Sequence, residues 1–149
     1  MTEPIVTLEA VDDRTMEYAE QLLSAAGLPT VDLEAERTQL YSASVQGERA
    51  GVGGLECYGT EGLLRSVAVE PEKRGEGIGA ALCRGLEAMA RQQGIETLYL
   101  LTTAATAFFE TQGYVRIDRN EPPESIQQTT EFDELCPSSA VCMQKSLVQ

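Results

Sequence analysis

The stretch Leu63-Leu64-Arg65-Ser66-Val67-Ala68-Val69-Glu70-Pro71-Glu72-Lys73-Arg74-Gly75-Glu76-Gly77-Ile78-Gly79-Ala80-Ala81-Leu82 decides the fold. An apolar β-type run, Leu63 to Val69, ends at Glu70-Pro71. Three glycines then alternate over Gly75 to Gly79, and an apolar pattern at helical spacing begins. A glycine-rich turn between a strand and a helix leaves several backbone N–H groups without intrahelical partners, at the positive end of the helix dipole. Glycine lets a ligand approach that backbone closely. The construction suits a pyrophosphate.

Two nucleotide-site patterns compete for these residues. Gly75-Glu76-Gly77-Ile78-Gly79-Ala80 satisfies G-x-G-x-x-G/A, the dinucleotide fingerprint. That reading needs an acidic residue at the end of the next strand. The next strand, Thr97 to Thr103, ends in threonines, and Glu96 stands before it rather than after it. A phosphate-binding P-loop is excluded because no Gly-Lys-Ser/Thr occurs. The second pattern is Arg/Gln-x-x-Gly-x-Gly/Ala, met by Arg74, Gly77 and Gly79. Phe108-Phe109-Glu110-Thr111-Gln112-Gly113-Tyr114 adds an aromatic-rich helix followed by a Gly-Tyr turn.

Bulk properties set the frame. The 149 residues suit a single domain spanning 1–149 with a real core. There is no Lys/Arg-led apolar leader and no apolar run of membrane-spanning length, so a cytoplasmic protein is expected. Twenty-four acidic against 11 basic residues give a net charge of −13. Such a field disfavours nucleic acid and anionic membranes as partners. Spread along the chain, it fits an acidic proteome adapted to high salt. Histidine is absent and no C-x-x-C occurs, so no metal is expected and histidine-dependent triads are removed. Cys57 and Cys83 read as small hydrophobes, while Cys136 and Cys142 are close enough in sequence to meet; reduced thiols are favoured.

Along the chain, Ile5–Leu8 reads as a strand and Asp12 or Asp13 as the cap of a helix running to about Ala26. Leu40–Val45 and Ala50–Tyr58 read as strands about a turn at Gln46–Arg49. The helix after the glycine turn runs from Gly77 to about Gln93. A buried strand (97–103), a helix (104–112) and strands Tyr114–Ile117 and Ala140–Leu147 complete an α/β domain. Pro122-Pro123 marks a helix start near Glu124.

The order strand, glycine turn, helix, strand, aromatic helix resembles the GNAT N-acetyltransferase superfamily from about Gly51 to Arg116. Gly54-Leu55-Glu56-x-Tyr58-Gly59, Leu63 to Val69 and Cys136-Pro137-x-x-x-Val141-Cys142-Met143 are similar to GNAT proteins of arsenic-resistance loci. More distantly, they resemble bacterial glutamate N-acetyltransferases. The resemblance implies a GNAT fold, with a mixed sheet of about six to seven strands and about four helices. It implies acetyl-CoA as co-substrate, a small-molecule amine of the amino-acid or glutamate type as acceptor, and direct attack in a ternary complex. A homodimer stays open. Val67, Ala68 and Val69 would bind the pantetheine arm as an added strand. Arg74, Gly75, Glu76, Gly77, Ile78, Gly79 and Ala80 would hold the pyrophosphate, Arg74 either by its side chain or merely as a solvated helix-start residue.

The family's proton-donating tyrosine aligns with Phe109, and a one-residue slip reaches only Phe108. Glu56, which interrupts a small apolar strand, is the candidate base; Tyr58 and Tyr114 are candidate proton donors, Tyr114 being expected rather to pack in the core. Arg65, which breaks an apolar run, is the candidate carboxylate clamp. A solvent-face glutamate and an outward-facing arginine are the plainer alternatives. Thr102 and Thr103 end the strand across the cleft and are candidate substrate contacts. Without the tyrosine, a CoA-binding regulatory domain without catalysis is the competing class; a polyamine or peptide amine is the competing acceptor.

Overall fold

The computed structural model describes residues 4–28, 30, 33, 38–129, 132 and 139–148. Its strands are β1 (Thr7–Ala10), β2 (Thr38–Val45), β3 (Glu48–Tyr58), β4 (Glu61–Val69), β5 (Thr97–Thr102), β6 (Val115–Ile117) and β7 (Val141–Ser146). Its helices are α1 (Asp13–Ala25), α2 (Ile78–Gln92), α3 (Thr106–Thr111) and α4 (Glu124–Gln127). The described residues form a mixed seven-stranded sheet in the order β1-β2-β3-β4-β5-β7-β6. This is the α/β arrangement expected from the sequence.

Local chemistry explains the element ends. Asp12 caps α1, accepting from the Arg14 and Thr15 backbone N–H groups, and Thr15 Oγ1 accepts in return from the Asp12 N–H. The β2–β3 hairpin turns on Gln46 and Gly47, both at positive φ (53° and 83°), as a two-residue turn between right-twisted strands requires. Pro123 precedes α4 at its N-cap, where its missing N–H costs nothing.

Two layers cover the sheet. On one face, Leu82, Cys83, Leu86 and Ala90 of α2 pack with Leu55, Leu64, Leu98, Leu100, Met143 and Tyr114. On the other, Ala19, Leu22 and Leu23 of α1 pack with Leu40, Val52 and Ala68. Beneath α4, Ile126 packs with Leu63, Tyr99 and Cys142. A buried polar cluster crosses the first layer. The Tyr114 hydroxyl donates to Glu87 Oε2 (3.0 Å), and Lys145 Nζ donates to Glu87 Oε1 (2.9 Å) and the Gln112 carbonyl (2.8 Å). Tyr114 is thus a core residue; burial first, then the Glu87 charge, hold its proton on.

Two features of β4 position everything that follows. β4 pairs in parallel with β5 only from Glu61↔Thr97 to Leu63↔Tyr99. Beyond Leu63, β4 keeps β3, while β5 continues against β7 to Thr102↔Val141, so the two strands part. The β3–β4 register also slips: Arg65 faces Gly54 and Ala68 faces Val52, three steps against two. That is a β-bulge, and its extra residue includes Ser66 at φ +57°.

Candidate active site

The parting of β4 from β5 opens a cleft of about 870 Å3. One wall is Leu64–Val69 of β4, whose far edge has no strand against it among the described residues. The opposite wall is the end of β5 and the turn after it, Leu100 to Ala105, with Phe108 and Phe109 of α3. The floor at one end is Lys73, Arg74, Gly75, Gly77, Gly79 and Ala80; Gly27 and Leu28, after α1, border it too. An exposed strand edge and a helix N-terminus therefore open into one space. The first can take an extended polar chain by strand addition, the second an anion.

Gly77 sits at the N-cap of α2 at φ +83°, a conformation that disfavours a side chain. The N–H groups of Ile78, Gly79 and Ala80 open the helix and have no intrahelical acceptor. Gly79 serves packing as well. A Cβ there would lie 3.2 Å from Phe108 Cζ, so its absence lets the aromatic helix close on α2. The Arg74 side chain folds back, Nε donating to the Val69 carbonyl at 3.3 Å, and so ties the turn to the end of β4. Lys73 pairs with Glu48 at 2.9 Å, an exposed contact.

Most of the cofactor-side residues read from the sequence line this cleft: Val67, Ala68, Val69, Arg74, Gly75, Gly77, Gly79 and Ala80. Glu76 and Ile78 lie outside the lining, and Ile78 is buried. Arg65, Thr102 and Thr103 line it as well. Thr102 Oγ1 accepts from the Ala105 N–H (3.0 Å), which shapes the turn into α3. Phe108 and Phe109 stack edge to face at 5.1 Å, and Phe109 meets Tyr114 the same way at 5.7 Å. None of the five tyrosines lies in the cleft lining.

The acceptor-side expectation changes in one respect. The sequence assigns Glu56 as the base and Arg65 as the carboxylate clamp, each acting on the acceptor by itself. They are instead joined: Arg65 Nη1 lies 2.8 Å from Glu56 Oε2, with Glu56 at 5% and Arg65 at 3% exposure. Tyr58 Oη donates to Glu56 Oε1. Cross-strand geometry is the cause, because the β3–β4 hairpin sets Glu56 opposite Leu63 and hence diagonal to Arg65 on the same face. Two lone charges buried this close lower each other's cost by pairing. Both oxygens of Glu56 are engaged, and neither Glu56 nor Tyr58 borders the cleft. The sequence reading overlooked Ser66, which does border it and accepts from Arg65 Nε at 3.0 Å. A lone hydroxyl in an apolar run was the available signal. The Cys136–Cys142 contact lies outside the described residues.

The sequence profile of the acetyltransferase (GNAT) domain matches residues 36–116, and the chain belongs to this family. Among its relatives, an amino-acid acetyltransferase of Mycobacterium tuberculosis is 32% identical over 105 residues, 70% of this chain and 54% of the relative. An amino-acid acetyltransferase of Escherichia coli is 34% identical over 67 residues, 45% of this chain. The matched part is 15% of the E. coli relative's length, so the likeness concerns one portion of a longer protein. N-acetylglutamate synthase from Neisseria gonorrhoeae, solved with coenzyme A and N-acetyl-glutamate, superposes with a TM-score of 0.81 at 19% identity. That match covers 99% of this chain and 36% of the synthase.

Proposed function

We propose that the protein is an acetyl-CoA-dependent N-acetyltransferase acting on a small amino-acid-like amine of the glutamate type. The observation that carries this reading is the open edge of Leu64–Val69 leading into the N-terminus of α2 within one cleft. The β4 edge would pair with the pantetheine amides, and the first N–H groups of α2 would hold the pyrophosphate. The thioester then lies near the β4 bulge, at the point where the strands part.

In the ternary complex the amine lone pair attacks the thioester carbon. The C–N bond forms and the carbonyl π electrons move to oxygen. They return as the C–S bond breaks, and sulfur leaves with the bonding pair. The nitrogen's proton passes to solvent or to the departing sulfur. Holding both reactants in one cleft supplies the main advantage by removing the entropy of encounter. The thiolate leaves without help from a tyrosine, as the moderate acidity of thiols permits.

On the acceptor side, Arg65 would face the carboxylate of the substrate with Glu56 holding its guanidinium, and Thr102 and Thr103 would contact the acceptor from across the cleft. Glu56 then acts on the amine through water rather than by direct contact, while it holds Arg65 and Tyr58 steadies it. Amino-acid acetyltransferases among the relatives support an amino-acid acceptor. The cofactor-side reading and the acceptor-side reading are separable. The test is release of CoA thiol from acetyl-CoA with glutamate, its phosphinic and arsonic analogues, spermidine and a short peptide. Glutamate-type acceptors should be fastest. Faster spermidine or peptide turnover would overturn the acceptor and leave acetyl transfer intact.

One observation favours a second reading, a CoA-binding regulatory domain: no tyrosine borders the cleft. Tight acetyl-CoA binding with no turnover on any amine of the panel would establish that reading.

A further inference from the structure

Twenty-four of the 149 residues are acidic, yet among the described residues no aspartate or glutamate lines the cleft. Its cations are Arg65, Lys73 and Arg74. Two of them are committed elsewhere. Arg65 is buried against Glu56 at 2.8 Å, and Arg74 folds back to the Val69 carbonyl. Lys73 is held more loosely. Its Nζ meets Glu48 Oε2 at 2.9 Å, with 25% of the Lys73 side chain and 76% of the Glu48 side chain exposed.

The carboxylates gather outside the cleft. Glu48 holds the Lys73 proton on, first by its hydrogen bond, and the charges of Glu76 and Glu72 add to this. Lys73 borders two spaces at once: the cleft, and a second pocket of about 170 Å3 that Glu48 and Glu76 also border. Glu48 borders the second pocket and not the cleft, so the ion pair draws the ammonium away from the cleft. A lysine ammonium sits on a flexible four-carbon stem. An exposed pair of this kind holds it by a factor of roughly five at most.

We propose that Lys73 exchanges partners when acetyl-CoA binds: its ammonium leaves the Glu48 carboxylate for a phosphate of the coenzyme, and Glu48 is thereby an intramolecular competitor of the coenzyme. The inference rests on the proposed acetyltransferase reading and deepens it, by naming a residue pair that sets coenzyme affinity. Lys73 ends the short turn Pro71–Lys73 that leads toward α2, on whose first N–H groups the pyrophosphate would sit. A phosphate in the cleft offers the ammonium a partner further from bulk water than Glu48, where the same charges attract more strongly. Glu48, already mostly exposed, loses little when it is released to solvent.

Calorimetric titration of acetyl-CoA at low salt reads the exchange as a double-mutant cycle. Glu48→Gln frees Lys73 and should tighten binding roughly two- to fivefold, the range an exposed pair permits. Glu72→Gln is the charge control, since Glu72 acts on Lys73 by charge alone; its gain should be smaller. Lys73→Met should weaken binding, and in that background Glu48→Gln should gain no more than Glu72→Gln does. Lys73 and Lys145 are the chain's two lysines, and Lys145 is fixed on Glu87, so nitrogen NMR of the ammonium groups reads Lys73 directly. Acetyl-CoA should shift the Lys73 resonance and leave that of Lys145 in place. The shift survives with the 3′-dephospho coenzyme when the pyrophosphate is the new partner and is lost when the 3′-phosphate is; either supports the exchange. Equal gains from Glu48→Gln and Glu72→Gln, a Glu48→Gln gain that survives Lys73→Met, or a Lys73 resonance unmoved by acetyl-CoA overturns the inference and leaves the acetyltransferase reading standing. Failure of wild type to bind acetyl-CoA overturns both.

Discussion

Arg65 Nη1 and Glu56 Oε2 lie 2.8 Å apart with both side chains nearly inaccessible to solvent, nine residues apart in sequence but diagonal neighbours across the β3–β4 hairpin. A pair so placed is dear to break and cheap to replace. Glu56→Leu removes the carboxylate that serves Arg65 and Tyr58 together, and it should cost about 3 kcal/mol. Combining it with Arg65→Met should restore most of that loss, because neither charge then remains. Urea unfolding of the two single variants and the double variant measures the coupling. Additive losses would mean that the two residues act independently.

The cluster at Tyr114 is a second place where one group can be removed cleanly. Tyr114→Phe keeps the ring stacked against Phe109 and takes away the donor to Glu87, which retains Lys145. The expected loss is about 1.5 kcal/mol, the lower end for a hydrogen bond to a charged group. Acetyl-CoA affinity should be untouched, because Tyr114 does not border the cleft. A large change in affinity without a change in stability would place Tyr114 in the site instead of the core.

A net charge of −13 on 149 residues makes the folded chain repel itself. Salt screens that repulsion over about 10 Å at 0.1 M. The melting temperature should therefore climb as KCl is raised, and climb less in a variant with several exposed acids made neutral. A flat or falling melting temperature would show that the acidic surface is not a burden on folding.

How legible these features were in the sequence depends on how local their causes are. The glycine turn and α2 could be read because strand, turn and helix are contiguous, and Asp12 announces α1 by its own side-chain chemistry. β1 was expected at Ile5–Leu8 but runs Thr7–Ala10. Its ends are set by pairing with Ser44 to Tyr41 of β2, and Ile5 stays exposed. The helix expected from residue 104 begins at Thr106, because Thr102 Oγ1 captures the Ala105 N–H and holds the chain in a turn. Glu56 and Arg65 each stood out by breaking an apolar pattern. Their contact depends on hairpin register, which no single strand displays. The bulge at Ser66 was invisible for the same reason, since a positive φ leaves no mark in a residue type that seldom adopts it.

Ala80→Glu asks whether acetyl-CoA seats its pyrophosphate on the first turn of α2. Ala80 is the third residue of that helix and borders the cleft. An acid at this position complements the helix dipole, so the fold should be as stable as before or slightly more so. The same carboxylate would occupy the anion site. Calorimetric titration should show acetyl-CoA binding weakened at least roughly 10-fold, the equivalent of about 1.4 kcal/mol, with the melting temperature held or raised. Unchanged affinity in a folded Ala80→Glu protein would mean that the pyrophosphate does not sit there.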